Sequence, residues 1–241
     1  KYSIEDAKKI ILDTFDIYGQ EYTDALKIAF DKRLVDFLPS KNKDTGWYSA
    51  YIPNCLPVVF GNYREDIEDI SSLCHELGHW VNQYKGVKMQ PDQYVYSATF
   101  TSEVVSLTNE IVFSQKFSKK TEDKSVKLEL LANFIETFAG NFFGALIQAR
   151  FEEEAHRVLT EGKTLNSEDL DNIWMSLMDE FYGEEVEEKF AHGWARIPHF
   201  FDSFYTYSYS TGITAACNLA HNLLEADEEY REKFIKLLGL G

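Results

Sequence analysis

Residues 65–84 read Glu-Asp-Ile-Glu-Asp-Ile-Ser-Ser-Leu-Cys-His-Glu-Leu-Gly-His-Trp-Val-Asn-Gln-Tyr. Apolar residues recur at Ile67, Ile70, Leu73, Cys74, Leu77, Val81 and Tyr84, the three-and-four spacing of a helix with a buried stripe. Asn62, followed three residues later by Glu65, predicts a capping box at the start of this helix. Within it stands His75-Glu76-Leu77-Gly78-His79. Side chains four positions apart lie one above the other on a helix. The two imidazoles can therefore reach one zinc ion at about 2.0–2.1 Å each. Their face lies outside the apolar stripe, so packing alone does not account for them. Glu76 sits between them, close enough to take a proton from a metal-bound water whose pKa the ion lowers to roughly 7.

Two histidines leave a third ligand to be found. A metal-binding helix that continued as HExxHxxGxxH would need histidine at position 85, which is Lys85. The alternative is a glutamate on a following helix, and Ser102-Glu103-Val104-Val105-Ser106-Leu107-Thr108-Asn109-Glu110 offers one. Glu103, Ser106 and Glu110 share a helical face, while Val104, Leu107 and Ile111 point elsewhere. Glu103 completes a His₂Glu set with a fourth position open for water, the arrangement of a catalytic zinc. Glu110 reads either as an outer partner that orients a ligand histidine or as a solvated helix charge.

The rest of the chain is mostly helical in pattern. Helices are predicted over 4–18, 22–37 (stopped by Pro39), 98–118, 122–159, 166–181, 201–224 and 228–238. Two short runs rich in β-formers, 47–52 and 57–62, flank Pro53-Asn54 and predict a small hairpin. No repeat or linker interrupts the 241 residues, so the simplest expectation is one mainly α domain over 1–241.

Composition narrows the partners. The net charge of −16 repels phosphate backbones and anionic lipid, which argues against nucleic-acid and membrane-surface binding. Cys55, Cys74 and Cys217 form no CxxC pair and no even set, so they read as reduced thiols of a cytoplasmic protein. The most apolar window, 134–147, contains Glu136 and Asn141, and no run of about twenty apolar residues predicts a membrane span.

His75–His79, followed by Glu103-Val104-Val105-Ser106 and Asn109-Glu110, resembles the M3 peptidases, in particular their oligoendopeptidase F branch. Gly46-Trp47-Tyr48 is similar to a Gly-Ala-Tyr strand of that branch, and Pro57 to Tyr63 to its following strand. Phe151-Glu152 with His156 resembles a segment of its long helix. Trp194-Ala195-Arg196-Ile197-Pro198-His199-Phe200 and the stretch from Phe204 to Gly212 complete the match, in the family's order.

The resemblance implies a helical, gluzincin-like zinc-peptidase catalytic domain with a small antiparallel β hairpin, without the N-terminal region that family members carry. It also implies a zinc-dependent endopeptidase acting on short oligopeptides, with one zinc per chain and Glu76 as general base. His199 and a tyrosine after it stabilise the transition state; Tyr207 aligns best and Tyr205 second. The chemistry agrees: attack on a peptide carbonyl builds an oxyanion, which a metal and a neutral O–H or N–H donor can hold. Phe200, Phe201, Phe204, Tyr205, Tyr207 and Tyr209 also read as packed aromatics, and the alternation Tyr-x-Tyr-x-Tyr also fits a strand. Trp47, Phe201 and Asn82 depart from the family pattern at positions that bear on substrate preference rather than on ligation.

Other assignments fit parts of the pattern. Glu76-x-x-His79 and Glu153-x-x-His156, with Glu103, Glu110 and Glu136, suit a di-iron carboxylate helical-bundle oxidase, although His75 has no role there. A non-catalytic peptide-binding domain could keep the same motif. Cobalt or manganese could fill the same ligands.

Overall fold

The computed structural model describes residues 1–183, 186–225 and 228–240. Nine α-helices run through these residues: α1 Ile4–Thr14, α2 Gln20–Asp31, α3 Ile67–Met89, α4 Thr99–Lys120, α5 Lys124–Ala139, α6 Ala145–Thr160, α7 Ser167–Tyr182, α8 Tyr207–Glu225 and α9 Glu228–Leu237. Three short strands, β1 Val35–Asp36, β2 Tyr48–Ala50 and β3 Val58–Phe60, form a sheet in the order β1-β3-β2. The fold is mainly α with a small sheet, as the pattern predicts. Contacts divide it into two compact units, residues 1–135 with 212–241, and residues 136–211.

The hairpin forms where the sequence places it. Ser49 pairs with Val59 and Ala50 with Val58, antiparallel. The third strand comes from the end of the segment expected to be helical through Phe37. Helix α2 stops at Asp31 because Arg33 takes a left-handed conformation (φ 57°), after which Val35 pairs in parallel with Val59. The start of α3 also differs. Asp66, not Asn62, is its N-cap, accepting the Asp69 N–H at 2.8 Å, while Glu65 lies at positive φ outside the helix and Asn62 donates to the Asp44 carbonyl. An Asp-x-x-Asp cap supplies the same oxygen that the predicted box would have.

Helix α3 is the core of the first unit. Ile70, Leu73, Cys74, Leu77, Trp80 and Val81 are buried, and so are Glu76, Asn82 and Gln83 on its polar side. Helix α4 lies close against it at Gly78. A Cβ there would sit 2.8 Å from the Ser106 Cα, a backbone clash that only glycine avoids. Asn109, fully buried on α4, fastens the contact by donating to the Cys74 carbonyl at 3.1 Å and to the Tyr22 hydroxyl at 2.7 Å.

The second unit has its own apolar centre of Ile147, Phe151, Trp174 and Leu177. The predicted helix over 122–159 runs as α5 and α6 joined by a π-helical stretch, Gly140–Gly144. By length and composition alone, this 124–160 helix is long and apolar enough to cross a membrane, and little of its apolar window is fully buried. The expectation of no span rests on Glu136 and Asn141 within that window, and two polar side chains do not lower its mean hydropathy enough to rule a span out.

Candidate metal centre

Helix α3 brings His75 and His79 one turn apart, with their Nε2 atoms 3.1 Å from each other. Glu103, on α4, faces both: Oε2 lies 3.5 Å from His75 Nε2 and Oε1 3.8 Å from His79 Nε2. The three donor atoms lie within 4.8 Å of one another. Ligand atoms about 2.0–2.1 Å from a tetrahedral zinc are separated by roughly 3.3 Å, so this donor set matches a zinc ion in both chemistry and spacing. Charge points the same way. Glu76, Glu103 and Glu110 surround two imidazoles in a largely buried cluster, an excess of negative charge that a divalent cation would balance.

The electrostatics of the cluster reflect that crowding. Burial pulls the His75 pKa down, but the Glu103 and Glu110 carboxylates beside it win and hold it well above the usual imidazole range. His79 is lowered to about 4, first by burial and then by the charge on His75. Glu76 is pushed up to about 7, chiefly by burial; the charge on His75 opposes this, and the Glu103 and Glu110 carboxylates add to it. The Ser49 backbone, on edge strand β2, makes the smallest contribution and lowers it. A cleft of about 650 Å³ opens on Glu76, His75 and Glu110 and is bordered by Trp47 and Arg64. Trp47 lies over Gly61, where a Cβ would meet the indole at 2.1 Å, and its N–H reaches Asp69 at 3.3 Å.

Each histidine has an outer partner on α4. His75 Nδ1 lies 3.0 Å from Glu110 Oε1, and the Glu110 side chain is 17% exposed. His79 Nδ1 lies 2.8 Å from Ser102 Oγ. No sequence motif singles out Ser102, although it lies one turn from Ser106 and eight positions before Glu110. Such contacts set the tautomer and the ring angle of a ligand histidine. Ser102→Ala and Glu110→Ala should each weaken zinc binding about 10–100-fold with the fold intact. Competition with a metallochromic chelator would measure this, and unchanged affinity in both variants would remove the orienting role.

The remaining predicted site residues lie in the second unit. His199 sits in a short 3₁₀ turn, Pro198–Phe201. Its ring contacts those of Tyr205 (centroids 5.0 Å apart) and Tyr209 (5.6 Å), and the Tyr209 hydroxyl lies 3.3 Å from His199 Nε2. Tyr207 opens α8 and is half exposed. The Tyr-x-Tyr-x-Tyr run thus enters a helix, and its i, i+4 members, Tyr205 and Tyr209, are the pair gathered at His199. Of the second ExxH motif, Glu153 is exposed and paired with Arg150 at 3.4 Å, and the His156 ring lies on Phe204.

The chain also has relatives among known proteins. Residues 5–239 match Peptidase family M3. The chain is 31% identical over 243 residues to Oligopeptidase PepF of Bacillus subtilis, covering all of this chain and 36% of that protein. It is 31% identical over 245 residues to an Oligoendopeptidase F homolog of Lactococcus lactis, covering all of this chain and 40% of that protein. Among solved structures, oligoendopeptidase-F from Enterococcus faecium superposes with a TM-score of 0.66 at 25% identity, over 99% of this chain and 36% of that one. The chain thus spans about two fifths of the length of these curated relatives. With a match that extends over nearly its whole length, the chain belongs to peptidase family M3.

Proposed function

We propose that this chain is a zinc-dependent endopeptidase that hydrolyses peptide bonds in short oligopeptides, with residues 1–241 acting as one catalytic domain. The observation that carries the reading is the convergence of His75, His79 and Glu103 beside a buried Glu76, in a member of family M3. The names of the relatives, oligopeptidase and oligoendopeptidase, support short peptides as substrates.

In this reading His75, His79 and Glu103 hold one zinc ion, and Ser102 and Glu110 orient the histidines. The ion would supply Lewis-acid polarisation of the scissile carbonyl and a lowered pKa for the attacking water. Glu76 accepts that water's proton and returns it to the leaving amine. Strand β2 is an outer strand of the sheet, so an extended peptide can pair along it and bring its carbonyl to Glu76. We assign His199, with Tyr207 or Tyr205, to donate to the oxyanion. The three unpaired cysteines suit a cytoplasmic setting, and the acidic charge leaves peptides as the partner class rather than nucleic acid or membrane.

The test is metal content together with turnover. Elemental analysis of the purified chain should find about one zinc per chain. A quenched fluorescent oligopeptide should be cleaved, with activity lost to a chelator and restored by zinc. A chain that holds no zinc after zinc is added back would overturn the reading.

A further inference from the structure

Glu152 stands out in the second unit because its carboxylate is buried with no cation beside it among the described residues. It is 6% exposed on α6, among the aromatic residues Phe151, Trp194 and Phe200. Its Oε1 accepts the backbone N–H of Phe204 at 2.6 Å, while Oε2 has no partner among the described residues. A buried carboxylate with one oxygen unsatisfied is unfavourable by itself, so the bond it does make needs a reason.

Phe204 supplies one. It lies at φ 58°, the left-handed region that a bulky residue rarely adopts. It sits within a turn closed by the Tyr205 N–H donating to the Asp202 carbonyl at 3.2 Å. A charge-assisted bond from a rigidly held carboxylate is about twice as strong as a neutral one, and here it acts on the strained residue itself. One helical turn further along α6, the His156 ring packs on the Phe204 ring at 4.9 Å. Helix α6 therefore holds Phe204 by its backbone and by its side chain. The turn lies between His199 on one side and Tyr205 and Tyr209 on the other, so its conformation decides whether those three rings meet.

We propose that Glu152 is a positioning residue whose buried carboxylate fixes the left-handed turn at Phe204 and thereby sets His199 against Tyr205 and Tyr209. The functional part of this assignment rests on the reading of His199 as an oxyanion donor; the structural part does not.

Four variants of the full chain test it: Glu152→Ala, Glu152→Gln, Phe204→Gly and the double variant Glu152→Ala/Phe204→Gly. Glu152→Ala should lower kcat about a hundredfold, the loss expected when a catalytic donor is displaced by about 1 Å. KM and zinc content should stay as in the parent. Glu152→Gln keeps an oxygen acceptor for the Phe204 N–H and should retain most of kcat. Phe204→Gly removes the steric objection to the left-handed conformation, so it should recover part of kcat in the Glu152→Ala background. Hydrogen exchange reads the turn without reference to catalysis: amides of 202–206 should exchange about tenfold faster in Glu152→Ala, while α3 and α4 keep their protection. Unchanged exchange there overturns the proposal, as does a kcat within about twofold of the parent in a parent that is active. If the parent chain cleaves no peptide, the peptidase reading fails and the exchange result alone decides for or against Glu152.

Discussion

Glu76→Gln should keep about one zinc per chain and lose about 10³-fold in kcat, with KM little changed. The substitution preserves shape, so the buried site between α3 and β2 need not repack. Under the proposed function, what it removes is the ability to take a proton from the attacking water and return it to the amine. That exchange matters only as the transition state forms, so the loss falls on kcat and not on binding. Metal analysis and Michaelis–Menten kinetics on the same preparation would check both halves. A variant that retains zinc and full kcat would move the general base to another group, while one that loses zinc would make Glu76 part of the metal site's support.

Glu103→Gln and His79→Ala are expected to lose the metal and, with it, about 10³-fold or more of the peptide hydrolysis. Glu103 is 3% exposed and, among the described residues, is the carboxylate that faces both imidazoles. Neutralising it without changing its size separates ligation from packing, because the α3–α4 contact at Gly78 and Asn109 remains. The drop in zinc affinity should exceed the roughly 10–100-fold expected for Ser102→Ala or Glu110→Ala, since an inner ligand is lost rather than its orienting partner. Calorimetric titration of the apo chain with zinc would rank the four variants. If Glu103→Gln binds zinc like the parent, the third ligand is another group.

The helix that carries His75 and His79, the hairpin and the glutamate on α4 are all legible in the amino-acid sequence because each is a local signal. Two histidines at i, i+4 share a face on any helix, and the 103/106/110 face follows from the 3.6-residue period. Two runs of β-formers around a Pro-Asn pair give a hairpin whatever lies beside it. The resemblance to family M3 extends this reading, since it rests on motif identity and order along the chain.

Other features depend on which surfaces meet. Strand β1 leaves no mark in the sequence because its partner Val59 is 24 positions away from Val35 and pairs in parallel, which no short-range pattern records. The N-cap lies at Asp66 rather than Asn62 because two acceptors stand within reach and the chain path from β3 chooses between them. Ser102 looks like any serine near a helix start. Its place beside His79 exists because Gly78 lets the α4 backbone approach α3 and Asn109 locks the rotation of one helix against the other. Tyr209, rather than Tyr207, reaches His199 because the turn at Phe204 delivers the chain into α8 with the i, i+4 face toward that ring.

The sequence by itself thus determined the helical class and the shared helix face of His75 and His79, and it offered Glu76 and Glu103 as candidates, since helical periodicity places each without reference to a neighbour. Only the tertiary structure decided how these side chains converge, which groups lie beside them, how far burial shifts Glu76, and which tyrosines gather at His199. Those depend on backbone approach and desolvation, which are properties of packed surfaces and not of any one segment.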